Sequence, residues 1–235
     1  MTPCAEGADG LARLLLRGDP RARVDVPAGP VALDQLGLPD DAWGLILCEG
    51  SMLKAVVVEH EERALTELLI PGDVLLPWPP AVDGLPAHMR LTALEPVKLA
   101  VLGERVVQIA ARRPALMIEL QGRLAQQEHR VAVHGVICQL PRVEDRIVAV
   151  LRHFAARVGR VCSDGTRVPV ELTHEDLGNL IGARRPTVSL ALTRLRSLVS
   201  RLDDGTFLLR PAVPNDPREA FDPTPHLDSH VRSAA

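Results

Sequence analysis

The sequence lacks the features that mark membrane-spanning, secreted and disulfide-rich proteins. It contains no tyrosine and only 2% aromatic residues. No run of 18 apolar residues could form a transmembrane helix. The four cysteines include no CxxC pair, which argues against a zinc ribbon or a disulfide framework. The N-terminus has no signal-peptide pattern. We therefore expect a soluble, cytoplasmic protein with no membrane partner.

Motifs for catalysis are missing too. No Ser/His/Asp or Cys/His grouping, glycine-rich phosphate loop or paired carboxylate stands out in the 235 residues. The sequence therefore does not predict an enzyme. Its length allows two modest domains, each able to bury a core of its own.

Charge is distributed unevenly along the chain, although the net charge is only −3. Residues 1–102 carry a net −7, whereas residues 141–213 carry a net +4. An acidic N-terminal part repels phosphate, so any contact with nucleic acid is predicted to lie in the C-terminal part.

The most informative segment is 172–198, LTHEDLGNLIGARRPTVSLALTRLRSL, which has the pattern of a helix-turn-helix. Thr173 is placed to cap the first helix, with Asp176 three positions later as in a capping box. Gly182 offers the permissive backbone of a tight turn, and Pro186 suits the first turn of a second helix. The buried stripe of that helix is predicted to consist of Val188, Leu192, Leu195 and Leu198.

This segment resembles the helix-turn-helix of the Crp/Fnr family of bacterial transcription regulators. The matching residues are Leu172-Thr173, Asp176-Leu177-Gly178, Ile181-Gly182, Arg185 and Thr187-Val188. Residues 145–156 are similar to the helix that opens the DNA-binding domain of this family. Residues 201–210, with the turn dipeptide Asp204-Gly205, are similar to its hairpin wing.

The N-terminal part is predicted to contain short strands separated by turns. The β-like runs are Gly44–Cys48, Leu53–Val58, Leu65–Ile70, Val74–Leu76, Met89–Thr92 and Val97–Leu102. Their spacing favours a small barrel or sandwich. Leu47–Ser51 and Pro71–Asp73 resemble segments of the family's jelly-roll effector barrel, in which we expect the glycines only to shape turns.

A long helix is predicted between Pro114 and about Gln139. Its apolar positions recur every three or four residues, as in a heptad repeat. Packing of the helix on its own barrel would give the same spacing, and the family resemblance favours a parallel coil between two subunits. The predicted dimer contacts are Met117, Leu120, Leu124, Gln127, Val131, His134 and Cys138. Pro141 is predicted to end the helix and provide a hinge. His134 and Cys138 also have metal-ligand spacing, but packing is the preferred interpretation.

Together these patterns predict an α+β protein with four parts. They are an N-terminal jelly-roll β-barrel of the cyclic-nucleotide-binding type (1–102), a dimerisation helix region (103–140), a winged helix-turn-helix domain (141–213) and a disordered tail (214–235).

The chain departs from the family where cyclic nucleotides bind. The cyclic-AMP binders carry a Gly-Glu pair and an Arg-Ser pair after their Pro-Gly-Asp segment, whereas Leu75–His88 contains neither glutamate nor arginine. A buried phosphate would then lack a counter-charge. The adenine-reading Thr-Ser pair is also missing, since Arg130 and Val131 lie near that place. Cyclic AMP is therefore not the expected ligand.

No cofactor is predicted either. The iron–sulfur branch of the family needs a cysteine cluster, and only Cys4 lies near the N-terminus. His60 and His88 could be proposed as haem ligands, but a lone loop histidine is ordinarily solvated. An effector, if there is one, is expected between Pro77-Trp78 and the long helix.

The resemblance assigns roles in DNA binding to residues of the helix-turn-helix. Arg185 aligns with an arginine that grips guanine, and Pro186 replaces a glutamate that reads the partner strand. We expect Thr173, Arg184 and Thr187 to hold phosphates and Ser189 to reach a base or a phosphate, with Arg194 on the same basic face. The implied partners are double-stranded DNA carrying an inverted repeat, a second copy of the chain, a small-molecule effector of unknown identity and, as a further candidate, RNA polymerase.

Two alternatives stay open. The chain could be a constitutive DNA-binding regulator with a degenerate barrel, or a small-molecule-binding module whose winged helix contacts another protein.

Overall fold

The computed structural model describes residues 23–58, 64–76, 81–82 and 85–211. Cys4, His60, Pro77-Trp78 and the predicted tail 214–235 lie outside the described residues.

Two antiparallel sheets form the N-terminal barrel. One sheet has the order β1-β9-β3-β6 and the other β2-β8-β4-β5, with β7 pairing to β8. The strands are β1 (Arg23–Val26), β2 (Gly29–Val31), β3 (Gly44–Glu49), β4 (Met52–Val58), β5 (Ala64–Leu69), β6 (Val74–Leu75), β7 (Ala81–Val82), β8 (Leu85–Ala93) and β9 (Val97–Leu102). The predicted runs are confirmed within a few residues, whereas β1, β2 and β7 were not predicted.

The two glycines of the family-like segments do shape turns. Gly50, between β3 and β4, has φ +85°, and a Cβ atom there would lie 2.7 Å from the carbonyl oxygen of Pro96. Gly72, between β5 and β6, has φ +96°. Both conformations are costly for any residue with a side chain.

Two helices follow the barrel. Helix α1 (Glu104–Arg112) is a separate short helix that the sequence pattern did not indicate. Helix α2 (Ala115–Cys138) confirms the predicted long helix, including its start after Pro114. The chain then passes Pro141 into α3 (Val143–Val158). Arg146 of α3 donates to the carbonyl oxygens of Leu140 and Ile181, which fixes this connection.

The C-terminal domain is a winged helix-turn-helix. Helices α4 (His174–Ile181) and α5 (Arg185–Arg194) follow α3, and a four-stranded sheet with the order β10-β11-β13-β12 packs beside them. Its strands are β10 (Arg160–Cys162), β11 (Gly165–Val168), β12 (Val199–Arg201) and β13 (Phe207–Leu209). The wing β12–β13 is confirmed, and the β10–β11 hairpin was not predicted.

The second helix of the motif is shorter than predicted. Helix α5 ends at Arg194, so Leu195 and Leu198 lie in the turn that leads to β12. The buried positions of α5 are Val188 and Ala191, whereas Leu192 is only half-buried. The apolar spacing continues past the helix end because the turn packs on the same core.

The barrel and the winged domain share one hydrophobic core. Leu53 of β4, Leu68 of β5 and Ile70 pack in the same buried cluster as Phe154, Leu177 and other core residues of the winged domain. A separate cluster around Met52, Leu69, Leu91 and Leu99 fills the barrel interior.

Candidate DNA-binding interface

Local interactions fix the first helix of the helix-turn-helix. The Thr173 hydroxyl accepts from the backbone N–H of Asp176 at 3.0 Å, and the Asp176 carboxylate accepts from the Thr173 N–H at 2.9 Å. This is the predicted capping box, with Asp in place of the usual Glu. Gly182 ends the helix at φ 65°, the left-handed conformation expected at this turn.

The turn between the helices is tight because a glycine lies beside it. A Cβ atom on Gly178 would lie 2.6 Å from the carbonyl oxygen of Ala183. The backbone N–H of Ala183 donates to the carbonyl of Gly178 at 2.8 Å. Gly178 thus allows the second helix to start close to the first, which sets the angle at which it is presented.

The second helix presents its N-terminal turn to solvent. Arg184 is the N-cap residue, Arg185 is the first helical residue, and Pro186 follows it. Arg184, Arg185 and Thr187 are all exposed. Three of the residues expected to contact DNA are therefore accessible on one helix end, and Thr173 is exposed at the start of α4.

Two other expected DNA contacts already have partners within the chain. The Ser189 hydroxyl lies 2.8 Å from Nδ1 of His174 and donates to the carbonyl of Arg185 at 3.1 Å. Arg194 donates to Glu144 of α3 at 2.8 Å. This hydrogen bond is the main reason that the pKa of Glu144 is lowered. The Ser189 hydroxyl is thus less available to DNA than the sequence indicated, whereas Arg194 stays 72% exposed beside its ion pair.

Several of the predicted dimer contacts lie inside their own chain. Leu120, Gln127 and His134 are buried within their own chain, and so are not on an outward surface of α2. Leu120 packs with Ile46 and Val74 of the barrel. Gln127 accepts from the Val74 N–H at 3.0 Å and donates to Glu67 at 3.2 Å.

Of the other predicted contacts, Met117 is exposed, while Leu124, Val131 and Cys138 are half-buried. Leu124 packs on the cluster that contains Leu120. The Cys138 thiol donates to the carbonyl of Leu180 at 3.4 Å. The predicted stripe is therefore largely the face that α2 turns towards its own barrel and winged domain.

The opposite face of α2 carries a second stripe with the same spacing, which we call the outward stripe. Its members recur at intervals of four and three residues along the helix, and all of them are exposed. They are Ile118, Gly122, Ala125, His129, Ala132 and Val136.

A buried carboxylate joins three parts of the chain, and we call this group the Asp73 clamp (Asp73, Arg130 and Arg157). Asp73 lies in the turn before β6 and is only 5% exposed. It accepts at 2.5 Å from Arg130 of α2 and at 2.5 Å from Arg157 of α3. It also accepts from the Ile70 N–H at 3.0 Å. From the sequence alone, Asp73 is predicted only as part of a turn, and no local signal marks its two arginine partners.

Two histidines lie next to the clamp between α2 and α3. His134 donates from Nε2 to the Leu180 carbonyl at 2.7 Å, and burial lowers its pKa. Burial, and then the neighbouring His134, Arg157 and Arg130, lower the pKa of His153 to about 4. Both rings are therefore neutral at pH 7. In the described part of the chain, no group of three residues able to hold a metal ion comes together.

Two cavities lie beside α3 in the described part of the chain. A cavity of about 10 Å³ beside the two histidines is lined by Glu67, Arg130 and Phe154 among others, and has room for about one water molecule. A larger open cleft of about 400 Å³ lies outside the barrel, between α3 and the β10–β11 hairpin. The predicted effector position beside Pro77-Trp78 lies outside the described residues. No helix in the described ranges is long and apolar enough to cross a membrane.

The described residues form a jelly-roll-type barrel joined by a long helix to a winged helix-turn-helix domain. Residues 145–202 match the model of the Crp-like helix-turn-helix domain. The chain thus carries a Crp-like helix-turn-helix domain and has the fold of the Crp/Fnr regulators. No curated protein matches the sequence.

Solved structures share the fold at low sequence identity. A CRP-family transcriptional regulator from Thermus thermophilus is 20% identical, with a TM-score of 0.57 over 80% of this chain and 91% of that chain. A c-di-GMP-responsive global regulator from Xanthomonas campestris is 18% identical, with a TM-score of 0.59 over 88% and 99%. A cyclic nucleotide-binding domain protein from Listeria monocytogenes is 14% identical, with a TM-score of 0.62 over 79% and 87%.

Proposed function

We propose that the chain is a homodimeric regulator that binds an inverted-repeat operator through α5 and does not respond to cyclic AMP. The observation that carries this proposal is the exposed N-terminal turn of α5, where Arg184, Arg185 and Thr187 project from a capped helix pair. The net +4 of residues 141–213 supplies the attraction to phosphate that the acidic barrel lacks.

Within this interface, Arg185 reads the O6 and N7 atoms of a guanine, and Arg184 and Thr187 hold phosphates. The N–H and the hydroxyl of Thr173 already donate to Asp176, so Thr173 contributes by capping α4. Replacing Arg185 with Ala should weaken binding to the operator by about 1–3 kcal/mol and relax preference at one base pair. The matched control is Arg184→Ala, which should weaken binding to all sequences alike and flatten the salt dependence. Fluorescence anisotropy on specific and random duplexes measures both. Equal loss on the two duplexes for Arg185→Ala would contradict its base-reading role.

The dimer seam is assigned to the outward stripe of α2 instead of the predicted contacts. Its small residues, Gly122 and Ala125, allow two helices to approach closely, and Ile118 and Val136 supply exposed apolar surface at its ends. Two copies related by a twofold axis favour an operator with an inverted repeat, in which the half-sites lie about one helical turn of DNA apart.

The test of the seam uses two valines that are exposed on the single chain. Val136→Glu, at a position 64% exposed, places a charge in the proposed seam and should yield monomers with weakened operator binding. Val161→Glu on β10, at a position 88% exposed, makes the same change outside the long helix and should leave the dimer intact. Sedimentation velocity distinguishes the two forms. A Val136→Glu protein that sediments as a dimer would refute the seam.

The lack of a cyclic AMP response rests on two observations. The segment 75–88 has no arginine or glutamate, and Met52, Leu69, Leu91 and Leu99 occupy the barrel interior. Cyclic AMP and cyclic GMP should therefore leave the melting temperature unchanged at concentrations at which a competent ligand adds a few kcal/mol of stability. An upward shift would contradict the proposal. Titrating other candidate effectors while following DNA affinity separates a sensor from a constitutive regulator. Absence of salt-dependent DNA binding would favour a protein partner for the winged helix.

A further inference from the structure

Helix α5, the recognition helix of the proposed function, exposes a leucine at the centre of the side that faces away from the domain core. Leu190 is 62% exposed, whereas its neighbours Val188 and Ala191 are buried. At 100° per residue, Pro186, Leu190 and Thr193 fall within an arc of about 60°, on the side opposite the buried Val188. Pro186 and Thr193 are exposed as well. The middle of the side that faces away from the domain core is therefore largely apolar.

The polar groups near Leu190 are already engaged within the chain. The Ser189 hydroxyl contacts His174 and the Arg185 carbonyl. The Thr193 hydroxyl donates to the Ser189 carbonyl at 3.0 Å, and Arg194 pairs with Glu144. The two hydroxyl groups therefore need no DNA base to satisfy their hydrogen bonds. Beyond the N-terminal turn, the chemistry that α5 offers to a groove is thus mainly the alkyl surface of Leu190 and Pro186.

In the major groove, the apolar group on a base edge is the 5-methyl group of thymine. We propose that Leu190, flanked by Pro186, reads a thymine methyl group in each half-site. This inference rests on the proposed DNA-binding function and adds a specificity-determining residue to it. Leu190 lies five residues beyond Arg185, about 7.5 Å along the helix axis. The thymine is therefore expected within about two or three base pairs of the guanine that Arg185 reads.

The experiment removes the methyl group and nothing else. The full chain first selects an operator from random duplexes, and each thymine of one half-site is then replaced by deoxyuridine, which keeps the pairing and the O4 acceptor. For the unaltered protein, one replacement should weaken binding about fourfold, the value expected for one buried methyl group. For Leu190→Ala, the same replacement should have no effect, since the two groups form one contact.

Two further variants keep the test interpretable. Leu190→Asn keeps the length and branching of the side chain but makes its end polar, and should also be insensitive to uracil. Val161→Ala alters another exposed apolar residue of the same domain and should keep the full fourfold sensitivity.

The outcomes distinguish a failure of this inference from a failure of the proposed DNA-binding function. Failure of the chain to select any sequence would overturn the proposed function, and the inference with it. A selected operator that Arg185→Ala relaxes, but in which no thymine is sensitive to uracil, would overturn the inference alone. The inference alone would also be overturned if replacing thymine with deoxyuridine weakened the binding of Leu190→Ala as much as that of the unaltered protein.

Discussion

Removing the carboxylate of the Asp73 clamp should loosen the attachment of the winged domain to the barrel. In Asp73→Ala, Arg130 and Arg157 lose the anion that lies 2.5 Å from each of them. Breaking a fully buried ion pair costs about 3–5 kcal/mol. The two arginine side chains are 24% and 15% exposed, so water can replace part of the lost interaction. We therefore expect the free energy of unfolding to fall by about 2–4 kcal/mol.

The control for this variant is Asp25→Ala on β1. Asp25 pairs with Arg23 at 2.8 Å, but both side chains are well exposed, so the free energy of unfolding should change little. Urea unfolding followed by circular dichroism compares the two proteins. Hydrogen exchange then shows whether protection is lost on both sides of the contact, in β5 and α3. Equal stability of the two variants, or unchanged exchange in α3, would refute the idea that the clamp holds the domains together.

Two further predictions concern the histidine pair and the helix cap. Folding lowers the pKa of His153 from about 6.5 to about 4. Between these two pH values the unfolded chain binds more protons than the folded chain. The free energy of unfolding should therefore fall as the pH decreases from about 6.5 to about 4. His153→Gln should flatten that slope in acid titrations of unfolding, and a slope that persists undiminished would exclude His153 as its source. Thr173→Ala should cost about 1 kcal/mol through the lost capping box, measured by urea unfolding, whereas Thr173→Ser should cost little. A loss of similar size in both variants would contradict the capping role.

The features that the sequence predicted correctly have local causes. Both ends of α4 could be located from the sequence alone, because the capping residues Thr173, Asp176 and Gly182 lie within ten residues of one another. The barrel strands were recognisable because apolar runs and turn residues alternate along them. Strand β10 escaped prediction since all three of its residues are exposed and it has no apolar pattern to reveal it.

The features that escaped prediction depend on distant residues. Helix α2 has two stripes on opposite faces with the same spacing of three and four, and only the tertiary structure shows that Leu120 and Gln127 face inward while Ala125 faces outward. Asp73 meets Arg130 and Arg157 across 57 and 84 residues of sequence. The predicted buried stripe did not include Leu190, and only the structure shows that this side chain is 62% exposed.

The core that the barrel shares with the winged domain has a genetic consequence. Leu53, Leu68 and Ile70 belong to the barrel, yet they pack among residues that support the recognition helix. Enlarging or shrinking these three side chains changes how tightly the recognition helix is held without touching DNA or an effector site. A screen for suppressors of a DNA-binding defect should therefore return substitutions at Leu53, Leu68 and Ile70, more than 100 residues upstream of Arg185.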